Sequence, residues 1–303
     1  MPTPGRLLYL LCRDLKRGLR ASWHDYRTAP QIRRYRCPDF AGQRSEIPLH
    51  LLTGQNDWLL ALWMLASFHH FTQRRWNVIV HDDGTLPPEA ATALREAFPE
   101  LRVIPRAEAD VRMQRLLAPF PRCWNYRQSH PLGLKIFDMA ALTRSERFII
   151  LDSDVLFFAR PDAILDWVET NRNESRFIED VAEASNVTAE QAQTQLGVTL
   201  WSRVNSGLCL LPSAAVPASF CEKALEQTAI LEGHIWRVEQ TLFALCASRY
   251  GAGGLLPRTY EVTLARHSAP NATARHYVGA VRNEFYAEGL PRLKSLLLPE
   301  AVA

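Results

Sequence analysis

The stretch Phe148-Ile149-Ile150-Leu151-Asp152-Ser153-Asp154-Val155-Leu156-Phe157-Phe158 decides how the rest of the chain is read. A short continuous apolar run bounded by polar residues predicts a strand buried on both faces. Asp152 and Asp154 then fall just beyond the carboxyl end of that strand, where open α/β sheets place their ligands. Two carboxylates one residue apart can converge on one hard cation, and such a cation can neutralise a diphosphate. The same residues also describe an acidic turn after a strand, so the remainder of the chain has to separate the two readings.

Working outward, strands alternate with helices. A first strand is predicted at Ile47–Leu52, ending at Thr53-Gly54-Gln55-Asn56-Asp57. An almost wholly apolar helix follows at 58–71, with Asn56 or Asp57 placed to cap it. Strands at Trp76–Val80 and Leu101–Ile104 flank a helix at 87–98 that begins with two prolines. A helix at Leu132–Thr143 carries Lys135 and leads into the strand quoted above. This alternation predicts an α/β class with a mostly parallel mixed sheet flanked by helices. Residues 105–130 read as irregular, and Trp124-Asn125-Tyr126-Arg127 as local packing. Residues 161–203 contain helix-like stretches at 161–170 and 188–195, while 204–211 reads as a strand, 217–231 and 239–248 as helices, and Gly251-Ala252-Gly253-Gly254 as a turn. No phosphate-loop spacing occurs around those glycines.

Composition narrows the class. A net charge of +3 over 303 residues is too small to imply a nucleic-acid partner. The six cysteines are scattered without a C-x-x-C, which predicts reduced thiols and a cytoplasmic location. The apolar run from Leu7 to Cys12 is short for a secretory signal. Residues 4–23 read as a basic amphipathic helix, with Leu7, Leu8, Leu11, Leu15 and Leu19 on one face and Arg13, Lys16, Arg17 and Arg20 off it. It suits either a peripheral contact with the inner face of a membrane or docking on the main domain. Residues 24–45 read as a connector, giving an organisation of 1–45, a catalytic domain at 46–290 with an inserted helical segment at 161–203, and a tail at 291–303.

Five patches in order complete the picture. They are Thr53 through Asn56-Asp57 followed by a buried helix with Ser67; Lys135 ahead of Asp152-Ser153-Asp154; Asn205-Ser206-Gly207; Glu239-Gln240; and His276-Tyr277-Val278-Gly279 with Arg282. In this order they resemble the GT-A-fold glycosyltransferases, close to family eight, which includes glycogenin and bacterial galactosyltransferases. The likeness spans about residues 47–285. Glu239 stands where the family has Asp, Arg282 where it has Lys, and the segment before Asn205 is longer than in glycogenin.

The resemblance implies a metal-dependent transfer of a sugar from a nucleoside-diphosphate sugar, a UDP-sugar, to a saccharide, lipid or protein acceptor, with retention. Thr53, Asn56 and Asp82 are then candidates for the nucleotide. Asp152, Asp154 and His276 are candidate metal ligands, and a mixed N/O set favours Mn²⁺ with Mg²⁺ as the alternative. Lys135 and Arg282 would add positive charge at the phosphates or donor sugar. Ser153, Ser206, Gly207 and Gly279 line the donor, the glycines by letting backbone approach closely. Asn205, Glu239 and Gln240 are the catalytic candidates, suited to hold sugar hydroxyls in orientation. A non-catalytic sugar- or nucleotide-binding protein of the same fold is the alternative. An aspartyl-nucleophile phosphatase fits less well, because it wants its D-x-D early in the chain with acidic partners downstream. Residues 105–130 and 161–203 are the candidate acceptor region.

Overall fold

The computed structural model describes residues 12–298. Among them ten strands form one mixed sheet. In chain order these are β1 (Arg44–Thr53), β2 (Arg75–Asp82), β3 (Arg102–Ile104), β4 (Arg147–Leu151), β5 (Val155–Phe157), β6 (Ser175–Glu179), β7 (Val204–Pro212), β8 (Gly253–Leu255), β9 (Tyr260–Val262) and β10 (Ala274–His276). The spatial order is β3-β2-β1-β4-β7-β6-β9-β10-β5, with β8 beside β6. From β3 to β4 every pairing is parallel. Antiparallel pairing enters at β4–β7, β6–β7 and β10–β5. The fold class expected from the sequence is therefore the one found.

β4 shows why the sheet forms. All five of its residues are buried. Ile149 and Leu151 enter one apolar cluster, with the helix Trp58–Thr72, while Phe148 and Ile150 enter the other, with the helices Leu132–Leu142 and Val238–Tyr250. Successive side chains of a strand point to opposite faces, so a continuous apolar run is what a doubly covered strand requires.

Several local expectations are corrected. Residues 105–130 hold two helices, Arg106–Leu116 and Pro121–Ser129. Their apolar signal is sparse: they bury Ala109, Met113, Cys123 and Tyr126, and a charged side chain, Arg127, beside them. Arg127 is fully buried, bridging Asp138 at 2.6 and 2.7 Å and Asp110 at 2.6 Å, and its guanidinium lies over Trp124. This is the local packing expected of that cluster. In 161–203 the two helix-like stretches are found, as Asp162–Glu169 and as Ala189–Gln191 continued by Ala192–Leu196, but β6 runs between them. The glycine-rich turn becomes β8 after Gly251, whose φ of +83° ends the preceding helix in the left-handed conformation glycine favours. Residues 217–231 split into Ala218–Ala224 and Thr228–Glu232. The expected tail contains the helix Leu290–Leu297, which buries Leu290, Leu293 and Leu297.

The N-terminal segment also differs from expectation. Of the helix read at 4–23, residues 4–11 lie outside the described residues. Beyond Gly18 a helix runs from Leu19 to Ile32, through much of the expected connector and with Pro30 in its last turn. It docks through Ala21, Ser22, Thr28 and Ile32, while Leu19, Trp23 and Tyr26 stay exposed. The cysteines form no disulfide among the described residues; Cys12 is exposed and the other five are buried.

Candidate metal and donor site

Asp152-Ser153-Asp154 makes the turn between β4 and β5. β10 pairs antiparallel with β5, His276 opposite Val155, and the Tyr277 amide donates to the Asp154 carbonyl at 2.9 Å. This pairing brings a distant part of the sequence to the acidic turn. Ser67, on the helix after β1, supports β5 from behind: its hydroxyl accepts from the Phe157 amide at 3.2 Å.

The three candidate ligands meet. One ligand atom each from Asp152, Asp154 and His276 lies within 4.8 Å of the others. Nε2 of His276 is 3.2 Å from Oδ1 of Asp154 and 3.9 Å from Oδ2 of Asp152. The other ring nitrogen, Nδ1, is 2.8 Å from Oδ1 of Asn205. That oxygen also accepts from the Gly207 amide at 3.0 Å, so Nδ1 carries the proton and donates to it. The ring is thus held with Nε2 toward the carboxylates, where it can ligate once it carries no proton. A ligating histidine held through its other nitrogen is the usual second layer of a metal site. Two carboxylates and an oriented imidazole suit a divalent cation of the Mn²⁺ or Mg²⁺ kind.

The charges respond to this crowding. Burial pushes the Asp154 carboxyl up, but His276 and Arg282 outweigh it and hold it below its ordinary value. Burial pushes the His276 imidazolium down, and the two aspartates reverse that, raising it. Each shift says that positive charge is favoured between these groups.

β7 supplies the opposite wall. The Asp152 amide donates to the Gly207 carbonyl at 2.8 Å. The register of β6 on β7 jumps from Phe177–Cys209 to Ile178–Asn205, so Ser206-Gly207-Leu208 bulge away from β6. Bulges re-aim side chains beside sites. Here the bulge presents Ser206 to Glu239 at 3.0 Å and to Lys135 at 3.4 Å. A Cβ on Gly207 would come within 2.2 Å of His276 Nδ1. The missing side chain at Gly207 therefore makes room for the imidazole, where the sequence reading assigned it to close approach of the donor. At Gly279, which is exposed, a Cβ would meet nothing within 4 Å, so no packing in the structure calls for glycine there.

Lys135 is fully buried and reaches Asp152 at 2.8 Å and Glu239 at 3.1 Å. Burial opposes its charge, but these two carboxylates raise it above its ordinary value. Glu239 is pushed up by its own burial, with Lys135 pulling the other way. Gln240, beside it in the first turn of Val238–Tyr250, accepts from the Ser206 amide at 3.2 Å. Its amide nitrogen donates to Asp180 at 3.4 Å and to the Ala184 carbonyl at 3.3 Å.

The nucleotide-side candidates are more dispersed. Thr53 ends β1 with a buried hydroxyl that has no partner. Asn56 lines a cavity of about 1020 Å³ with Asp57, Arg282 and residues of the N-terminal helices. Arg282 bonds Asp57 at 2.9 Å and lies 3.5 Å from Asp154. Asp57 sits at the cap position of its helix but makes no cap bond; its carboxylate goes to Arg282 instead. Asp82 closes its own turn, accepting from Gly84 at 2.7 Å and Leu86 at 3.0 Å. No hydrogen bond or ion pair among the described residues joins it to the cluster. Ser153 is buried between the two aspartates.

Sequence reasoning missed Asp180. It follows β6 and binds both Asn205, at 2.8 Å, and Gln240. Its signal was slight, an acidic pair after Phe177-Ile178, between the two helix-like stretches of the inserted segment.

A mostly parallel mixed sheet flanked by helices, with an acidic turn at the end of its central strand, is the architecture of the GT-A fold; here the late strand β10 brings a histidine to that turn. Solved structures carry the likeness. The bifunctional glycosyltransferase WbbM matches with a TM-score of 0.52 and 12% identity over 82% of this chain and 50% of its own. Mouse xyloside xylosyltransferase 1 matches at 0.51 and 14% identity, covering 78% of this chain and 98% of its own. The galactosyltransferase LgtC, solved with donor and acceptor sugar analogues, matches at 0.50 and 15% identity over 85% and 98%. The chain thus spans about half the length of WbbM. No family model and no curated protein matches the sequence.

Proposed function

We propose that this chain is a metal-dependent glycosyltransferase that moves a sugar from a UDP-sugar to an acceptor saccharide, lipid or protein, with retention at the anomeric carbon. The observation that carries the reading is the convergence of Asp152, Asp154 and His276, with Lys135 and Arg282 as flanking cations. Asp152, Asp154 and His276 would hold Mn²⁺, or Mg²⁺ in its place. When bound, the ion supplies Lewis-acid stabilisation of the leaving diphosphate.

In the reaction, the bond from the anomeric carbon to the diphosphate breaks and a bond to the acceptor oxygen forms. The acceptor proton leaves with the diphosphate. Arg282 lies where it can add charge to the leaving group, and Lys135 holds Asp152 in place. Oriented positive charge of this kind is commonly worth a few kcal/mol in the transition state. Asn205 orients His276 and keeps one N–H for a sugar hydroxyl. Gln240, held by the Ser206 amide and Asp180, stands with Glu239 at the wall facing the donor sugar. Retention rests on the family resemblance alone.

The same proposal places the protein in the cytoplasm, with a peripheral contact to the inner membrane face through its basic N-terminal segment. No helix of the described residues is long and apolar enough to cross a membrane. A panel of nucleotide sugars, tested by thermal shift with and without Mn²⁺, checks the reading. A shift by one UDP-sugar that requires the metal supports it; no shift with any nucleotide sugar sinks it.

A further inference from the structure

Large apolar side chains on a docked helix normally face the core, because burial of apolar area is what holds the helix down. The N-terminal helices of this chain do the opposite. Leu15, Leu19, Trp23 and Tyr26 are 67%, 80%, 52% and 55% exposed, while the helix Leu19–Ile32 turns Ala21, Ser22, Thr28 and Ile32 inward. Leu19, Trp23 and Tyr26, spaced by four and three residues, share one side of their helix, and Leu15, before the break at Gly18, lies beside them. Together with Asp14, Arg20 and Ser22 they line a shallow surface hollow.

The charges around that stripe identify its occupant. Between residues 12 and 36 there are eight Arg or Lys and only two Asp, whereas the whole chain carries +3. The positive excess is thus concentrated in this segment, and the remainder of the protein is acidic on balance. Lys16, Arg20 and Arg27 are exposed on these helices, and the Arg27 guanidinium lies 5.1 Å from the Trp23 ring. An apolar stripe carrying Trp and Tyr, rimmed by Arg and Lys, is complementary to the headgroup region of an anionic bilayer. A protein partner of matching shape would have no need of so many cations at the rim.

We infer that Leu15, Leu19, Trp23 and Tyr26 insert into the interface of an anionic lipid bilayer, with Lys16, Arg20 and Arg27 binding the headgroups. The inference deepens the peripheral contact included in the proposed function and rests on that part of it. It has a geometric consequence. Arg13, Arg17, Asp25 and Arg33 of the same segment line the cavity that holds Asn56, Asp57 and Arg282. Docking therefore brings that cavity to within about one helix diameter, roughly 10 Å, of the membrane surface.

The test is co-sedimentation of the full-length chain with vesicles of phosphatidylcholine alone or mixed equally with phosphatidylglycerol. The native chain is expected to bind the anionic vesicles and to be released by salt. Leu19→Glu/Trp23→Glu should weaken binding about tenfold or more, and Arg20→Glu/Arg27→Glu should abolish the preference for anionic lipid. Melting temperature and binding of UDP with Mn²⁺ are measured on the same samples. Loss of vesicle binding with nucleotide binding intact confirms the docking surface. Failure of nucleotide binding with vesicle binding intact bears on the transferase reading alone and leaves the docking surface supported. A native chain that ignores anionic vesicles, or a Leu19→Glu/Trp23→Glu variant that binds as well as native, overturns the inference. So does a native dimer that this variant converts to monomer, since a second copy would then be what covers the stripe.

Discussion

His276 Nε2 lies 3.2 Å from Asp154 Oδ1, although one residue ends β10 and the other precedes β5. The antiparallel pairing of these two strands fixes the distance, and Asn205 fixes the ring. The imidazole is therefore set by two supports that can be tested apart from the ligands themselves.

Asn205→Ala removes the acceptor for the Nδ1 proton and leaves both aspartates in place. Loss of such an outer partner commonly lowers metal affinity about 10- to 100-fold. Calorimetric titration with Mn²⁺ should show this drop, alongside a loss of about 1–3 kcal/mol in stability from the Gly207 amide left without its acceptor. An unchanged affinity would mean that the ring needs no such support.

Gly207→Ala places a methyl where the imidazole stands, and the nearest approach is to the ring rather than to a flexible chain end. Overpacking of a buried site costs about 1–3 kcal/mol. Urea unfolding should register that loss, and Mn²⁺ binding should fall with it. Gly279→Ala has no such clash and should leave stability within about 0.5 kcal/mol of native. A fall in turnover for Gly279→Ala at unchanged stability would mark the open space there as occupied by substrate.

Lys135→Met strands the Glu239 carboxylate in a buried setting and leaves Asp152 short of its partner. Removing one side of a buried ion pair typically costs about 3–5 kcal/mol. Adding Glu239→Gln should recover part of the stability without recovering turnover. A double variant no more stable than Lys135→Met would contradict the pairing.

A second buried pair predicts how stability depends on pH. His50 Nδ1 and His81 Nε2 are 2.9 Å apart on β1 and β2. Burial, the neighbouring imidazole and Arg102 hold His50 well below its ordinary value of 6.5, and burial with Arg102 and Arg127 pushes His81 down to about 3. Protonation thus favours the unfolded chain. The stability of the neutral pair is complete above pH 6.5 and is lost as pH falls from there toward 3. Each histidine contributes about 1.4 kcal/mol per pH unit in that window. Urea unfolding at pH 5.5 should give about 2 kcal/mol less than at pH 7, and His50→Leu/His81→Leu should flatten the difference. Equal slopes in the two proteins would show that the pair does not carry it.

The sheet was legible because β4 is covered on both faces and reads as an unbroken apolar run. Its acidic turn was legible for the same reason, as the first polar residues after that run. His276 is different. No periodicity links it to Asp154, and only the ordered likeness to a family placed it there. Asp180 stayed hidden because β6 is five residues long and ends in Glu179. The helices around Arg127 stayed hidden because their buried apolar residues are few, Ala109 and Met113 on one and Cys123 and Tyr126 on the other, and a buried ion pair shares the interior with them. The N-terminal helix was expected to bury Leu15 and Leu19 if it docked, and it docks on Ala21, Ser22, Thr28 and Ile32 instead. Sequence patterns report apolar burial well. They report buried charge, short strands and outward-facing stripes poorly.

The central claim is that Asp152, Asp154 and His276 share one divalent ion beneath the diphosphate of a nucleotide sugar. Calorimetric titration of Mn²⁺ into the chain in the presence of UDP tests it most directly, with Asp154→Asn alongside. The account predicts one ion per native chain, UDP-enhanced, and none for Asp154→Asn at an unchanged melting temperature. Equal binding by the folded Asp154→Asn variant would contradict it.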